Sequence, residues 1–350
     1  MAGHQKISKK YVSRKIKTVR WKPPVSEFGR TDTFVTGSWD DMQNLLGVWH
    51  VPEMDDDPSF VHQLHHPDNV NDIQYITRDT FASGGSSGNV RLFQHTAAAK
   101  LEEKFVWEKI HNFIGGACPC TALACNGDQI ASVGEDGKLV VLNPYQEKIS
   151  RTIESIGGCS IYAVIYLRAS EVLTANMQGH LKLLDLRADQ PSKATLISPD
   201  QIAVCTLAAH PNQQHIVASG GEDGALTVWD MRNINQPITV IAAHSGSITS
   251  VKFHPASPEH LFTCGIDGQV LHWDASANAR PTNMPFKNSR EPAGSSISVW
   301  LTSDVAQGII DTTSIIPPSP LPINSLDIEG PVLIAGSDNE AIFTVRNVIF

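Results

Sequence analysis

Charge is scarce in this chain. Lysine, arginine, aspartate and glutamate make up only 18% of its 350 residues, against roughly a quarter in an ordinary soluble domain. A disordered chain and a long coiled coil both need far more charge, so neither class fits. Apolar residues reach 41%, yet no run approaches the roughly 20 apolar positions of a membrane-spanning helix. No membrane insertion is expected. The opening MAGHQKISKK lacks the apolar core of a secretory signal. Cysteine is sparse too: six residues, at 118, 120, 125, 159, 205 and 264. Neither a Cys-x-x-Cys pair nor a neighbouring His-x-x-x-His completes a zinc set around Cys118, Cys120 and Cys125, so no metal is expected there. Scattered reduced cysteines fit a cytosolic or nuclear protein better than a disulfide framework. There is no phosphate-binding P-loop, no dinucleotide fingerprint before a helix and no H-E-x-x-H, so no cofactor is expected.

The charge that is present lies unevenly. Lys6, Lys9, Lys10, Arg14, Lys15, Lys17, Arg20 and Lys22 crowd the first 22 residues, and the first acid is Glu27. Removing those eight from the 27 basic residues leaves 19 against 36 acids, or −17 for the rest of a chain whose net charge is −9. An acidic body is ill suited to tracking phosphates, so direct nucleic-acid binding is not expected. The basic arm reads either as an import signal or contact for something acidic, or as an edge strand whose lysines deter unwanted pairing.

A repeat runs the length of the chain. IASVGEDGKLVVLNP (130–144), VASGGEDGALTVWDM (217–231) and LFTCGIDGQVLHWDA (261–275) share one pattern. Each is a short β-rich run, an Asp-Gly turn and an alternating run. Weaker copies are FASGGSSGNVRLFQ (81–94) and VLTANMQGHLKLLD (172–185), with divergent ones at 33–49 and 332–345. The last core position of each copy is Trp49, Phe93, Leu142, Leu184, Trp229, Trp273 and about Thr344, giving gaps of 44, 49, 42, 45, 44 and 71 residues. The first five gaps lie near the period of about 40–45 residues expected of a propeller blade. The sixth equals one blade plus an insertion within about 277–308, with a short helix near Val299–Leu301.

Asp-Gly joining two short strands predicts type I′ hairpins. A third run precedes each hairpin and a fourth follows it. One such sheet cannot bury both its faces alone, so seven must stack in a ring. The expectation is an all-β, seven-bladed β-propeller over residues 10–350, behind a basic tail at 1–9. The last copy lacks a fourth strand, and KYVSRKI (10–16) is placed to supply it.

The endings Trp229-Asp230 and Trp273-Asp274 resemble the WD-repeat family. That resemblance implies a WD40-type propeller with a buried hydrogen-bonded set of His, Ser or Thr, Asp and Trp. The sixth copy matches it with His244, Thr263, Asp267 and Trp273. The fifth has Ser219, Asp223 and Trp229 but no entering His; the third has Ser132 and Asp136, with Leu142 in place of Trp. These residues would be structural.

The likeness extends past the generic repeat. HPNQQHIVASGGEDGALTVWDMR (210–232), HPASPEHLFTCGIDGQVLHWDAS (254–276), VSRKIKTVRWKP (12–23), TFVTGSWD (33–40) and NSLDIEGPVLIAGSDNEAI (324–342) closely resemble a WD-repeat nucleoporin family of animals. The match covers the chain from about residue 6. It implies a scaffold subunit of the Y-shaped outer-ring complex of the nuclear pore at the nuclear envelope. Its implied partners are other nucleoporins, an α-solenoid subunit of the short arm and a neighbouring propeller. It also implies support for pore assembly, mRNA export and protein transport, and a kinetochore role in mitosis. The insertion and the acidic loop EMDDD (53–57) are the segments that match least.

Two other readings compete. Gly84-Gly85-Ser86-Ser87-Gly88 spells the G-x-S-x-G nucleophile elbow, but that elbow joins a strand to a helix, and NVRLF beyond it reads as a strand. Ser86 is therefore read as a turn residue, and His62, His65 and His66 as blade-edge or loop residues. No catalytic group is expected. The second reading starts from Trp229-Asp230-Met231-Arg232, which resembles the motif of WD-repeat substrate receptors of cullin-type ubiquitin ligases. It makes Arg187 and Arg232 candidate adaptor-docking residues; the alternative is that both pair with nearby carboxylates.

Overall fold

The computed structural model describes every residue except 1–4, 27–28, 53–56, 98–99, 155, 157, 277–297 and 350. Most of the insertion (277–297) and of the acidic loop (53–56) therefore lies outside the described residues.

The described residues form thirty strands. β1 (Lys6–Tyr11) belongs to the last sheet. Blade one holds β2 (Ile16–Trp21), β3 (Thr33–Ser38), β4 (Asn44–His50) and β5 (Ser59–His66). Blade two holds β6 (Val70–Tyr75), β7 (Thr80–Gly85), β8 (Val90–His95) and β9 (Leu101–Trp107), and a small hairpin, β10 (Asn112–Phe113) and β11 (Gly116–Ala117), follows it. Blade three is β12 (Cys120–Cys125), β13 (Ile130–Gly134), β14 (Leu139–Asn143) and β15 (Lys148–Ile153). Blade four is β16 (Ile161–Arg168), β17 (Glu171–Asn176), β18 (His180–Asp185) and β19 (Ser192–Ile197). Blade five is β20 (Val204–Ala209), β21 (Ile216–Gly221), β22 (Ala225–Asp230) and β23 (Thr239–Ala242). Blade six is β24 (Ile248–Phe253), β25 (His260–Gly265), β26 (Val270–Asp274) and β27 (Asp311–Ser314). Blade seven is β28 (Ile323–Glu329), β29 (Val332–Ser337) and β30 (Ala341–Arg346), completed on its outer side by β1.

The core is divided among the blade interfaces. Each of the seven contacts between neighbouring blades carries its own apolar cluster, such as Val35, Leu46 and Val48 of blade one against Val70, Ile73 and Phe81 of blade two. Both faces of every sheet are thus covered only when the ring is complete. Trp300, in a short 3-10 turn at Val299–Leu301, is fully buried against Phe253 and donates its indole N–H to the Pro258 carbonyl at 2.7 Å. That contact anchors the far end of the insertion between blades five and six.

The clasp forms, but earlier than KYVSRKI. Lys6 pairs with Arg346 and Tyr11 with Ala341, so the closing strand begins inside the segment assigned to the tail. Residues 12–15 are needed for the bend into β2: the Val12 N–H reaches the Glu340 carbonyl, and Ser13 takes a φ of 57°. Blade seven's equivalent of Trp49 and Trp273 is Val345, one residue beyond Thr344, because Leu333 pairs with Val345 as Phe34 pairs with Trp49 and Leu261 with Trp273.

The Asp-Gly turns are not type I′. Gly137, Gly224 and Gly268 have positive φ (71°, 82° and 73°), whereas Asp136, Asp223 and Asp267 do not. Each glycine N–H closes back on the carbonyl of Gly134, Gly221 or Gly265. That is a type I turn followed by a left-handed glycine. The glycine also serves the next connection, because its carbonyl accepts the N–H of Ile156, His244 and Ser319 respectively. A Cβ on Gly268 would lie 1.9 Å from the Ser319 carbonyl oxygen.

Candidate functional site: buried ties and the displayed surface

Blade six assembles its four residues into one chain of hydrogen bonds. Trp273 Nε1 donates to Thr263 Oγ1 at 3.0 Å, Thr263 Oγ1 lies 2.8 Å from His244 Nε2, and His244 Nδ1 lies 3.0 Å from Asp267 Oδ1. The Asp267 carboxylate can only accept, so Nδ1 of His244 carries the proton that faces it, and in the neutral ring Nε2 accepts the Thr263 hydroxyl proton. Burial works against the Asp267 charge, but His244 and the N–H groups of Ser245 and Gln269 outweigh it and hold the pKa below the usual range. The direction follows from hydrogen bonds to the charged form.

Blade five brings only two of its three candidates together. Trp229 Nε1 donates to Ser219 Oγ at 2.8 Å, while the exposed Asp223 accepts from the Ala225 N–H. Blade three does the reverse. Ser132 and Asp136 are joined by His111, which lies 2.8 Å from Ser132 Oγ and 3.0 Å from Asp136 Oδ1, with a fully buried imidazole. Burial again opposes the Asp136 charge, and the His111 hydrogen bond and charge again hold its pKa low.

His111 is the residue that sequence reading missed. His111 N–H meets the Gly88 carbonyl just as His244 N–H meets Gly224, so the two occupy one position in the repeat. The signal was its separation from the turn aspartate, 25 residues against 23 for His244, blurred by the β10–β11 excursion. His66 was missed too, since its blade has Ser87 where the turn aspartate would stand. It is almost fully buried, lies 2.9 Å from Ser83 Oγ, and burial drives its pKa down to about 4. In blade two the turn residue is Ser87, and the carboxylate comes from Asp68 at 2.6 Å. Blade one keeps the indole bond alone, Trp49 Nε1 to Thr36 Oγ1 at 3.0 Å.

Ser86 sits in the β7–β8 turn between antiparallel strands, where its hydroxyl accepts the Asn69 N–H. Cys118 and Cys120 are buried, which pushes their thiols up to about 11 and about 12, and Cys120 meets Ser132 Oγ at 3.2 Å. Among the described residues no group of three or more His, Cys, Asp or Glu could hold a metal ion. Arg187 and Arg232 are exposed, and their guanidinium groups fold back onto Asp185 at 3.2 Å and Asp230 at 2.6 Å. Much of the basic arm is paired likewise: Arg14 with Asp41, Lys15 with Asp40, Arg20 with Asp72 and Lys22 with Asp79. The first strands of the blades enclose a channel of about 790 Å³ where Arg20 meets Asp72 at 2.8 Å and Lys252 stands 3.8 Å from Asp327. No described helix is long and apolar enough to cross a membrane.

This arrangement of blades, turns and indole–hydroxyl ties defines a WD-repeat propeller, and the WD domain, G-beta repeat matches residues 191–230 and 235–274. Similarity to named proteins runs from end to end. Nucleoporin Nup43 of Homo sapiens is 35% identical over 98% of this chain and 99% of its own length. Nucleoporin Nup43 of Mus musculus is 34% identical over the same shares. Nuclear pore complex protein nup43 of Dictyostelium discoideum is 26% identical over 41% of this chain and 34% of that protein. The chain belongs to the Nup43 family of nucleoporins.

Proposed function

We propose that this protein is a non-catalytic scaffold subunit of the nuclear pore complex, resident at the nuclear envelope in the Y-shaped outer-ring assembly. The observation that carries the reading is the end-to-end match at 35% identity, which spans the whole ring rather than isolated repeats. A closed propeller suits the task, because a preformed surface loses little conformational entropy on docking. Its partners are other nucleoporins, an α-solenoid subunit and an adjacent propeller, and through them it supports mRNA export and protein transport. In dividing cells the same assembly carries it to kinetochores. The buried sets of blades three and six, of three and four residues, hold the display surface rigid and have no chemical role.

Fluorescent tagging of the chromosomal gene tests the reading. A punctate nuclear rim in interphase is the expected result, and an even cytoplasmic signal would overturn it. The ligase-receptor alternative needs Arg187 and Arg232 to reach outward, whereas both guanidinium forks rest on their own aspartates.

A further inference from the structure

The outermost strand of each blade leaves one edge unpaired, and seven such strands can be compared. Six carry protection of a recognisable kind. β1 has Lys6, Lys9 and Lys10; β9 has Glu102, Glu103 and Lys104; β15 has Lys148 and Arg151; β19 has Lys193. β23 and β27 are only four residues long. Charge and shortness are the two common ways in which a sheet edge is kept from pairing with another chain. β5, SFVHQLHH, has neither. It is the longest of the seven at eight residues and contains no Lys, Arg, Asp or Glu.

The rest of the geometry agrees. Phe60 is 52% exposed and Val61 42% exposed, although Phe60 packs edge-on against Trp49 at 5.3 Å. A β-bulge sits between the Val48 and Trp49 pairings, but β5 stays in register with β4 from Ser59 to His66 on either side of it. Every second N–H and C=O of β5 points away from β4. Among the described residues, no backbone hydrogen bond reaches that outer side.

We propose that the outer edge of β5 is a docking site for an extended segment of a neighbouring subunit, which adds a fifth strand to blade one. A row of backbone donors and acceptors selects a β-strand over a helix or a loop. The exposed apolar side chains of Phe60 and Val61 favour apolar residues where the incoming strand passes them. The inference rests on the scaffold reading for the source of that strand.

Hydrogen exchange on the assembly co-purified with the tagged full-length chain tests both. With nucleoporins bound, alternate amides of β5 should exchange at least about tenfold more slowly than in the free chain, while those of β15 and β19 keep their free rates. Co-purified nucleoporins with an unchanged β5 would overturn the inference and leave the scaffold reading standing. Failure to recover any nucleoporin would overturn the scaffold reading and remove the strand donor with it. A variant carrying Gln63→Lys and His65→Lys guards the edge at two exposed positions. It should lose about tenfold in recovered partner with an unchanged melting temperature, whereas Thr195→Lys on β19 should lose none. Full recovery with the doubly substituted chain would also contradict the inference.

Discussion

Blades three and five show how far a repeat's letters can stand from its physics. Blade five spells the motif better, with Ser219, Asp223 and Trp229, yet its aspartate lies exposed at a turn and binds only a backbone N–H. Blade three has Leu142 where the tryptophan should be, yet His111, Ser132 and Asp136 form a closed, buried set. What decides the outcome is the residue entering the blade. Ser198 N–H bonds the Gly179 carbonyl as His111 N–H bonds Gly88, so Ser198 stands where blade three has its histidine. Its hydroxyl turns to the Ile202 carbonyl, and Asp223 is left outside. In blades three and six the aspartate before the turn glycine is drawn inward by an entering histidine, and in blade five, which has Ser198 there, it is not.

The comparison can be broken most forcefully at His111. His111→Leu leaves the Asp136 carboxylate buried without its hydrogen-bond partner, and an uncompensated buried charge costs about 3–5 kcal/mol. Urea unfolding should show that loss, and a value near that of Asp223→Ala would mean the two aspartates are equivalent after all. Ser219→Ala comes next. It strands the Trp229 indole N–H in the core, at a cost of about 1–3 kcal/mol. Ser198→His sharpens the contrast in the opposite direction: if it draws Asp223 inward, stability should rise by about 1 kcal/mol. Asp223→Ala itself should stay within about 0.5 kcal/mol, as for most exposed substitutions.

Acid acts on the buried sets as well. The Asp136 carboxyl titrates below its unfolded value near pH 4, so its contribution is complete above about pH 4 and disappears as the pH falls through its lowered pKa. His66 acts earlier. Buried neutral, it titrates at about 4 instead of 6.5, so the unfolded chain binds its proton first and stability declines as the pH drops from 6.5 towards 4. A melting series over that range should fall less steeply for His66→Asn than for the natural chain.

The ring, the number of blades and the closing strand were legible because hairpin turns recur at a nearly fixed spacing and alternation is a local property. Three things were not. The clasp lies at Lys6–Tyr11 rather than 10–16, since its position depends on how many residues the bend into β2 consumes. The turns are type I with a left-handed glycine, because that glycine carbonyl must also receive the chain entering the next blade. His111 stayed hidden because β10 and β11 intervene between it and the first strand of its blade. Of the site residues, the blade-six set could be read whole, as His244 stands four residues before β24 with no excursion between them. The bare edge of β5 is a property of position in the sheet, which a string of residues does not display.

Affinity purification of the tagged chain from dividing cells, across a salt series and with quantitative mass spectrometry, tests the scaffold assignment most directly. Y-complex nucleoporins in fixed ratio to the chain, retained at moderate salt, are the predicted result. Recovery of a cullin adaptor without any nucleoporin would contradict it.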